Sequence, residues 1–253
     1  MTVEAFYDEL APYYHLIFPD WEASLQRQAE QLDGLIRERW PHAADLLDAA
    51  CGVGTQALGL AGRGYRVTGS DLSRVEVERA RVEAARRGLD VTFGVADMRR
   101  AHDHHGREFD VVLACDNAVP HLLTDDDLLA AFRQFYRCVR PGGGCLLTVR
   151  DYDKIDCVGV HVVPYGVRDV AGVRYLVWQV WDFHGPHYDL AMYFVEDRGD
   201  AGCTTRVMRS RYYAVGTERL MELLREAGFV DVARLDDRFY QPVLVGRREP
   251  PCP

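Results

Sequence analysis

No apolar run in the chain approaches the roughly 20 residues a helix needs to span a bilayer. The opening stretch MTVEAFYDEL lacks the basic-then-apolar layout of a secretory leader. Basic excess is missing too: the formal net charge is −9, so a fold-wide attraction to nucleic acid is not expected. The seven cysteines are scattered, odd in number and free of any C-x-x-C spacing, which argues against a disulfide frame and a zinc site and for reduced thiols in the cytoplasm. There is no internal repeat and no low-complexity linker. What is present is the composition of a folded domain: 253 residues, 48% hydrophobic and 27% charged, enough for one α/β unit with an elaboration.

The most informative stretch is LLDAACGVGT, Leu46 to Thr55. An apolar run leads into Asp48, Gly52 and Gly54 follow, and a helical pattern begins at once, which reads as a buried strand, a tight glycine turn and a helix. Asp71 stands nineteen residues after Gly52, behind a second strand-like run, where an acid suits the paired hydroxyls of a ribose. Gly52, Gly54 and Ala57 also satisfy the loose dinucleotide spacing G-x-G-x-x-G/A, so glycines alone do not choose the ligand. Asp48 does: a carboxylate at the mouth of the turn repels a pyrophosphate, whereas S-adenosylmethionine has no phosphate and carries an ammonium and a sulfonium. Asp97, behind a third strand-like run, can accept from an adenine amino group. The plainer reading of any one of these aspartates is a helix cap.

Along the chain, Phe6, Tyr7, Tyr13, Tyr14 and Phe18 form an aromatic cluster, and Trp21 opens a helix with Leu25, Gln28, Leu32, Leu35 and Ile36 on one face. This N-terminal part, residues 1–43, reads as a helical lid or as a helix docked by ordinary burial. From 44 to 150 strands at 44–49, 65–70, 90–96, 109–115 and 144–150 alternate with helices at 55–62, 73–87 and 125–139. That pattern predicts a doubly wound, Rossmann-like, mostly parallel seven-stranded sheet, with ligands outside the carboxyl ends of the strands. Asp48, Asp71, Asp97, Asp116 and Asn117 fall at those ends. RPGGG, Arg140 to Gly144, reads as a sharp turn. Residues 151–215 break the alternation with aromatic, β-branched runs and read as an antiparallel insertion over the site. Residues 216–253 add a helix ending at Gly228 and two strands that close the sheet, with a tail from 249 expected to fray.

The series LLDAACGVGT, GSDLS, GVADM, CDNAVPHL and RPGGG resembles the class I S-adenosylmethionine-dependent methyltransferases over about residues 44–150. Within that superfamily the chain is similar to the glycine N-methyltransferase and glycine/sarcosine N-methyltransferase group. Asn117 and His121 match its Asn-x-x-x-His, and Arg150 and Tyr152 match an arginine motif whose arginine binds an amino-acid carboxylate. Tyr213 stands before the final helix, Tyr240-Gln241-Pro242 resembles its Tyr-x-Pro, and Trp21 and Arg27 resemble the clamp on the methionine end. The resemblance implies cofactor contacts from Trp21, Arg27, Asp48, Ala50, Gly52, Gly54, Asp71, Leu72, Asp97, Met98, Asp116 and Asn117. It implies substrate contacts from Tyr14, Asn117, Arg150 and Tyr152, and catalytic roles for His121, Tyr213 and Tyr240. Asp151 and Asp116 depart from the group's pattern, and an extra acid near the acceptor favours a cationic or bulkier substrate than glycine.

The expected chemistry is in-line methyl transfer to the nitrogen of a small amine bearing a carboxylate, such as an amino acid, with Arg150 gripping the carboxylate. O- or C-methylation of a small aromatic metabolite remains open, because the aromatics of 173–213 suit such a pocket. A nicotinamide oxidoreductase is disfavoured by Asp48, and a non-catalytic binding protein ranks last. His121 is either a general base or a histidine bonded to its own loop. His102, Asp103, His104 and His105 read as a solvated loop, and Thr124-Asp125-Asp126-Asp127 reads as a helix cap and capping box, so no metal is expected. The expected partner is a small molecule, with no nucleic acid or membrane partner, and a homo-oligomer is possible.

Overall fold

The computed structural model describes residues 2–250. The tail expected to fray lies partly outside them, at 251–253. Seven α-helices and eleven strands organise the described chain. First come α1 (Val3–Leu10), a 3-10 turn (Ala11–Ile17) and α2 (Trp21–Arg39). The core follows as β1 (Asp45–Asp48), α3 (Thr55–Ala61), β2 (Arg66–Asp71), α4 (Arg74–Arg87), β3 (Val91–Val95), α5 (Ala101–His105), β4 (Phe109–Ala114), α6 (Asp125–Cys138) and β5 (Val139–Thr148). Next are β6 (Gly159–Val170), β7 (Val173–His184), β8 (His187–Asp197) and β9 (Cys203–Tyr213). The chain closes with α7 (Thr217–Glu226), β10 (Val230–Leu235) and β11 (Val243–Arg247).

Seven strands form one sheet in the order β10-β11-β5-β4-β1-β2-β3. The five core strands run parallel, and β11 is antiparallel to both β5 and β10. Alternation of side chains explains why the sheet is covered twice. On β1 and β4, Leu46, Val111 and Leu113 face α2, α3 and α4. Leu47, Val112 and Ala114 face α6 and α7. The chain winds outward from β1 to β3 and then returns to lay β4 on the other side of β1. The carboxyl ends of β1 and β4 therefore diverge into a crevice, the usual ligand position of such sheets.

Strands β6 to β9 form a second, antiparallel sheet in sequential order. Its inner face (Trp181, Phe183, Tyr188, Met192, Phe194 and Tyr212) packs against Phe6, Leu10 and Leu16 of the N-terminal segment. Arg168 on β6 ties the two together, donating from Nε to the Phe18 carbonyl at 2.8 Å and from Nη2 to the Ile17 carbonyl at 3.0 Å.

Three local expectations change. The RPGGG stretch is the first half of β5 and not a sharp turn: Val139 pairs with Phe109, and after a register shift Gly144 pairs with Val111. Its last two glycines serve close approach, since a Cβ on Gly143 would lie 2.3 Å from the Asp110 carbonyl and one on Gly144 2.0 Å from the Trp40 ring. The histidine-rich stretch is the short helix α5 in place of a loop, and His105 Nε2 lies 3.1 Å from Ser70 Oγ. Thr124 caps α6 by accepting from the Asp127 N–H at 3.2 Å, but the Asp127 carboxylate does not reach back to complete a capping box. It accepts instead from Arg99 at 2.9 Å.

Gly144→Ala forces a methyl into a rigid indole and should lower stability by about 1–3 kcal/mol, measured by urea unfolding. An unchanged midpoint would show that Trp40 can move aside freely.

Candidate active site

The carboxyl ends of β1 to β5 open on one cavity of about 560 Å³. On the core side the wall is the β1–α3 turn. Gly52 and Gly54 have φ of +51° and +92°, a backbone that favours glycine. The turn is held by Cys51 N–H donating to the Ser70 carbonyl at 3.0 Å and Gly54 N–H to the Cys51 carbonyl at 2.8 Å. Asp71 ends β2 in the wall and braces the turn, accepting from the Gly52 N–H and the Ser73 N–H, each at 2.9 Å. Leu72, Ala50 and Met98 also line the cavity. Asp97 lines it too, but both its oxygens are engaged by the guanidinium and backbone N–H of Arg99.

Asp48 sits behind the wall, fully buried, with no hydrogen-bond partner for either carboxylate oxygen. Burial pushes its carboxyl up to about 7; the amides of Ala50 and Ala57 oppose that rise, and the charge of Asp71 adds to it.

The far side of the cavity is set by the ends of β4 and β5. Asp116 and Asn117 take left-handed φ of +56° and +64° in succession. This conformation costs a non-glycine residue free energy and is held here by neighbours. Asp116 N–H donates to Thr148 Oγ1 at 2.7 Å, and Asn117 N–H to the Thr148 carbonyl at 2.9 Å. The turn aims the Asp116 carboxylate into the cavity, where it accepts from Tyr240 OH at 2.7 Å and from Tyr14 OH and Gln241 Nε2 at 3.3 Å. Tyr240 is 54% exposed as a residue, while its hydroxyl reaches Asp116. Burial raises the Asp116 carboxyl above the ordinary range, against the pull of Tyr240 and Arg150.

Arg150, just past β5, donates from Nη1 to Tyr188 OH at 2.9 Å and lies over the rings of Trp181 and Tyr212 at 4.9 and 5.6 Å. Among the described residues neither Arg150 nor Asp116 forms an ion pair, with the other or with any third side chain. His121 is held at Nε2 by Tyr7 OH at 2.7 Å. Burial, with Arg150 adding to it, lowers its pKa to about 3, so the imidazole is neutral and only weakly basic.

Several predicted residues lie outside the cavity wall. Asn117 and Tyr152 stand behind it: Asn117 Oδ1 accepts from the Arg150 N–H at 3.0 Å, and its amide donates to Tyr152 OH at 2.9 Å. Trp21 donates its indole N–H to Thr55 Oγ1 at 3.0 Å, with Arg79 and Arg87 over its ring, and Arg27 is exposed. Gly54 caps α3. Tyr213 points away from the cavity to Asp125, at 3.0 Å.

Its neighbour Tyr212 faces in, stacked on Tyr188 at 5.2 Å and 3.9 Å from the His121 ring. A strand alternates faces, so a shift of one residue moves a side chain to the other side. Arg209 and Arg211 are exposed and mark the face that Tyr213 shares, a signal that the sequence held. Tyr7 of the N-terminal aromatic cluster also lines the cavity, together with Gln56, Glu76 and Tyr165, which belong to none of the expected site positions.

Residues 46–143 match the family described as the methyltransferase domain. A dTDP-3-amino-3,6-dideoxy-alpha-D-glucopyranose N,N-dimethyltransferase of Streptomyces fradiae is 34% identical over 135 residues, 53% of this chain and 51% of the relative. A glycine/sarcosine N-methyltransferase of Parasynechococcus marenigrum is 30% identical over 137 residues, 54% of this chain and 48% of the relative. The chain matches about half the length of these curated relatives. The fold is shared with an amino pentose methyltransferase of Micromonospora echinaspora, solved with S-adenosylmethionine bound. The TM-score is 0.77 at 22% identity, over 88% of this chain and 91% of that one.

Asp48 makes stability pH-dependent. Its folded pKa of about 7 exceeds the ordinary 3.8, so the folded chain holds the proton longer than the unfolded chain does. Stability of the ligand-free protein therefore falls as pH rises from about 4 to about 7, by up to about 1.4 kcal/mol per unit for this group. Asp48→Asn should flatten that slope in thermal unfolding scans between about pH 4 and pH 7. A variant as pH-sensitive as the parent would mean that Asp48 is neutralised in some other way.

Proposed function

We infer that this chain, a class I S-adenosylmethionine-dependent methyltransferase by its domain match and fold, methylates the nitrogen of a small amine that also bears a carboxylate. One observation carries the choice of acceptor. Arg150 and Asp116 turn opposite charges toward the same cavity, stand close enough for Arg150 to pull on the Asp116 carboxyl, and are not paired. A zwitterionic acceptor satisfies both at once, its carboxylate on Arg150 and its ammonium on Asp116.

The residues fit S-adenosylmethionine. Asp48 is an orphaned acid behind a glycine turn, and a Cβ at Gly52 would come within 3.3 Å of Glu76 Oε2 and narrow the cradle. Asp71 and Leu72 would hold the nucleoside, and the β1–α3 turn the methionine part. When bound, the cofactor supplies a methyl group already activated on a sulfonium.

The chain's own work is orientation and proton handling. Arg150 fixes the carboxylate of the acceptor. The Asp116 carboxylate takes the proton from the acceptor ammonium and frees the nitrogen lone pair, and Tyr14 and Tyr240 hold that carboxylate in place. Tyr212 and the neutral His121 form the wall beside the acceptor. Residues 1–43 act as the lid, 44–150 as the cofactor core, 151–215 as the substrate cap, and 216–253 complete the core sheet. The six described cysteines are free thiols, which supports a cytoplasmic setting, and no described helix is long and apolar enough to cross a membrane.

Incubating the enzyme and a metabolite extract with methyl-labelled S-adenosylmethionine, then analysing by mass spectrometry, should place label on an amine that carries a carboxylate. Label on oxygen or carbon of an aromatic compound would favour the other reading. With that acceptor, Arg150→Ala should raise its KM by at least about tenfold and leave cofactor affinity within about twofold. Equal losses of both would make Arg150 structural.

A further inference from the structure

Glu76 is the one acid of the cavity wall that no described donor reaches at Oε1. It is 1% exposed and lines the cavity. The sequence Ser73-Arg74-Val75-Glu76 has the spacing of a capping box, in which the glutamate would reach back to the serine N–H. Ser73 Oγ does accept from the Glu76 N–H, at 3.1 Å. The return bond is missing because Asp71 Oδ1 has taken the Ser73 N–H. Ser73 Oγ is fixed in turn by Asp8 of α1 at 2.6 Å. Arg79, one turn further along α4, is directed to the Ala11 carbonyl and to His15 Nδ1. The Glu76 side chain is thereby left facing the cavity.

Its position along the cavity is defined from both ends. On one side are Gly52, whose added Cβ would sit 3.3 Å from Glu76 Oε2, and Asp71, where a ribose would be read. On the other are Tyr7 and Tyr14, which line the same cavity and whose hydroxyls bond His121 and Asp116 at the acceptor end. In S-adenosylmethionine the sulfur is bonded to the 5′ carbon of the ribose, and its methyl must point at the acceptor nitrogen. A group between the ribose end and the acceptor end flanks the sulfur. Asp71 is matched by backbone amides and Asp116 by phenols, whereas a buried carboxylate without donors is costly unless a ligand brings positive charge.

We propose that Glu76 is the cofactor-binding residue that recognises the positive charge of the sulfonium, and so distinguishes S-adenosylmethionine from S-adenosylhomocysteine. This rests on the reading of the cofactor given above. Transfer of the methyl leaves a neutral sulfide, so the attraction disappears with the reaction and the spent cofactor exchanges more readily.

Calorimetric titration of the full chain with each cofactor form tests this. Wild type should bind both. Glu76→Gln, nearly isosteric, should weaken S-adenosylmethionine by about tenfold or more and leave S-adenosylhomocysteine within about twofold. Glu76→Met, which fills the space without polarity, should show the same fall in the ratio of the two affinities and serves if the glutamine variant fails to fold. An unchanged ratio, with both forms weakened equally or neither affected, overturns the role of Glu76 while leaving the methyltransferase reading intact. A wild-type chain that binds neither form overturns that reading itself.

Discussion

Two opposite charges held apart in one cavity govern the part of this protein built on the ends of β4 and β5. The guanidinium of Arg150 does not shed its proton, so it must be matched where it stands. Its neighbours in the fold are neutral: the hydroxyl of Tyr188 and the faces of Trp181 and Tyr212. Those contacts make the charge tolerable without cancelling it. Asp116 stands opposite under the same constraint, supported by three neutral donors. What prevents collapse of the pair is backbone. Asn117 fixes the Arg150 amide, and Thr148 fixes the amides of Asp116 and Asn117, so the ends of β4 and β5 set the gap between the charges.

The chamber around that gap is assembled from segments far apart in the chain. Tyr7 and Tyr14 come from the N-terminal segment, Tyr212 from the last strand of the insertion, and Tyr240 and Gln241 from the loop before β11. The N-terminal segment and the insertion close on one another through a shared apolar layer. The Arg168 bonds to carbonyls 17 and 18 pin the join. This packing buries apolar surface on two elements that would each expose it alone, so the N-terminal segment and the insertion stabilise one another.

The core half was legible because its signals are local. The β1–α3 turn announces itself through glycines that need positive φ, and the acids at strand ends follow from the parallel winding. The insertion was legible as strands, but the residue that faces inward was not assigned: Tyr213 was chosen by its place before the final helix, while the alternation set by Arg209 and Arg211 puts Tyr212 inside. Gly143 and Gly144 looked like a turn because glycine marks turns; they are required by an indole and a carbonyl that lie far off in sequence. The Asp127 carboxylate looked like half of a capping box until Arg99, from another element, claimed it.

The amino-acid sequence by itself determined the winding of the sheet, the glycine turn and the row of acids along its carboxyl edge, because periodicity and backbone freedom act over a few residues. Tertiary structure alone decided that Glu76, on α4 beside that row, keeps an unpaired oxygen in the cavity wall. Asp71 and Glu76 compete for the Ser73 N–H, and Asp71 is the one that β2 carries to it. It also decided that Trp21 and Arg27 stand away from the cavity while Tyr212 and Glu76 enter it. A hydrogen-bond donor serves the acceptor brought to it by packing, and no spacing along the chain records that choice.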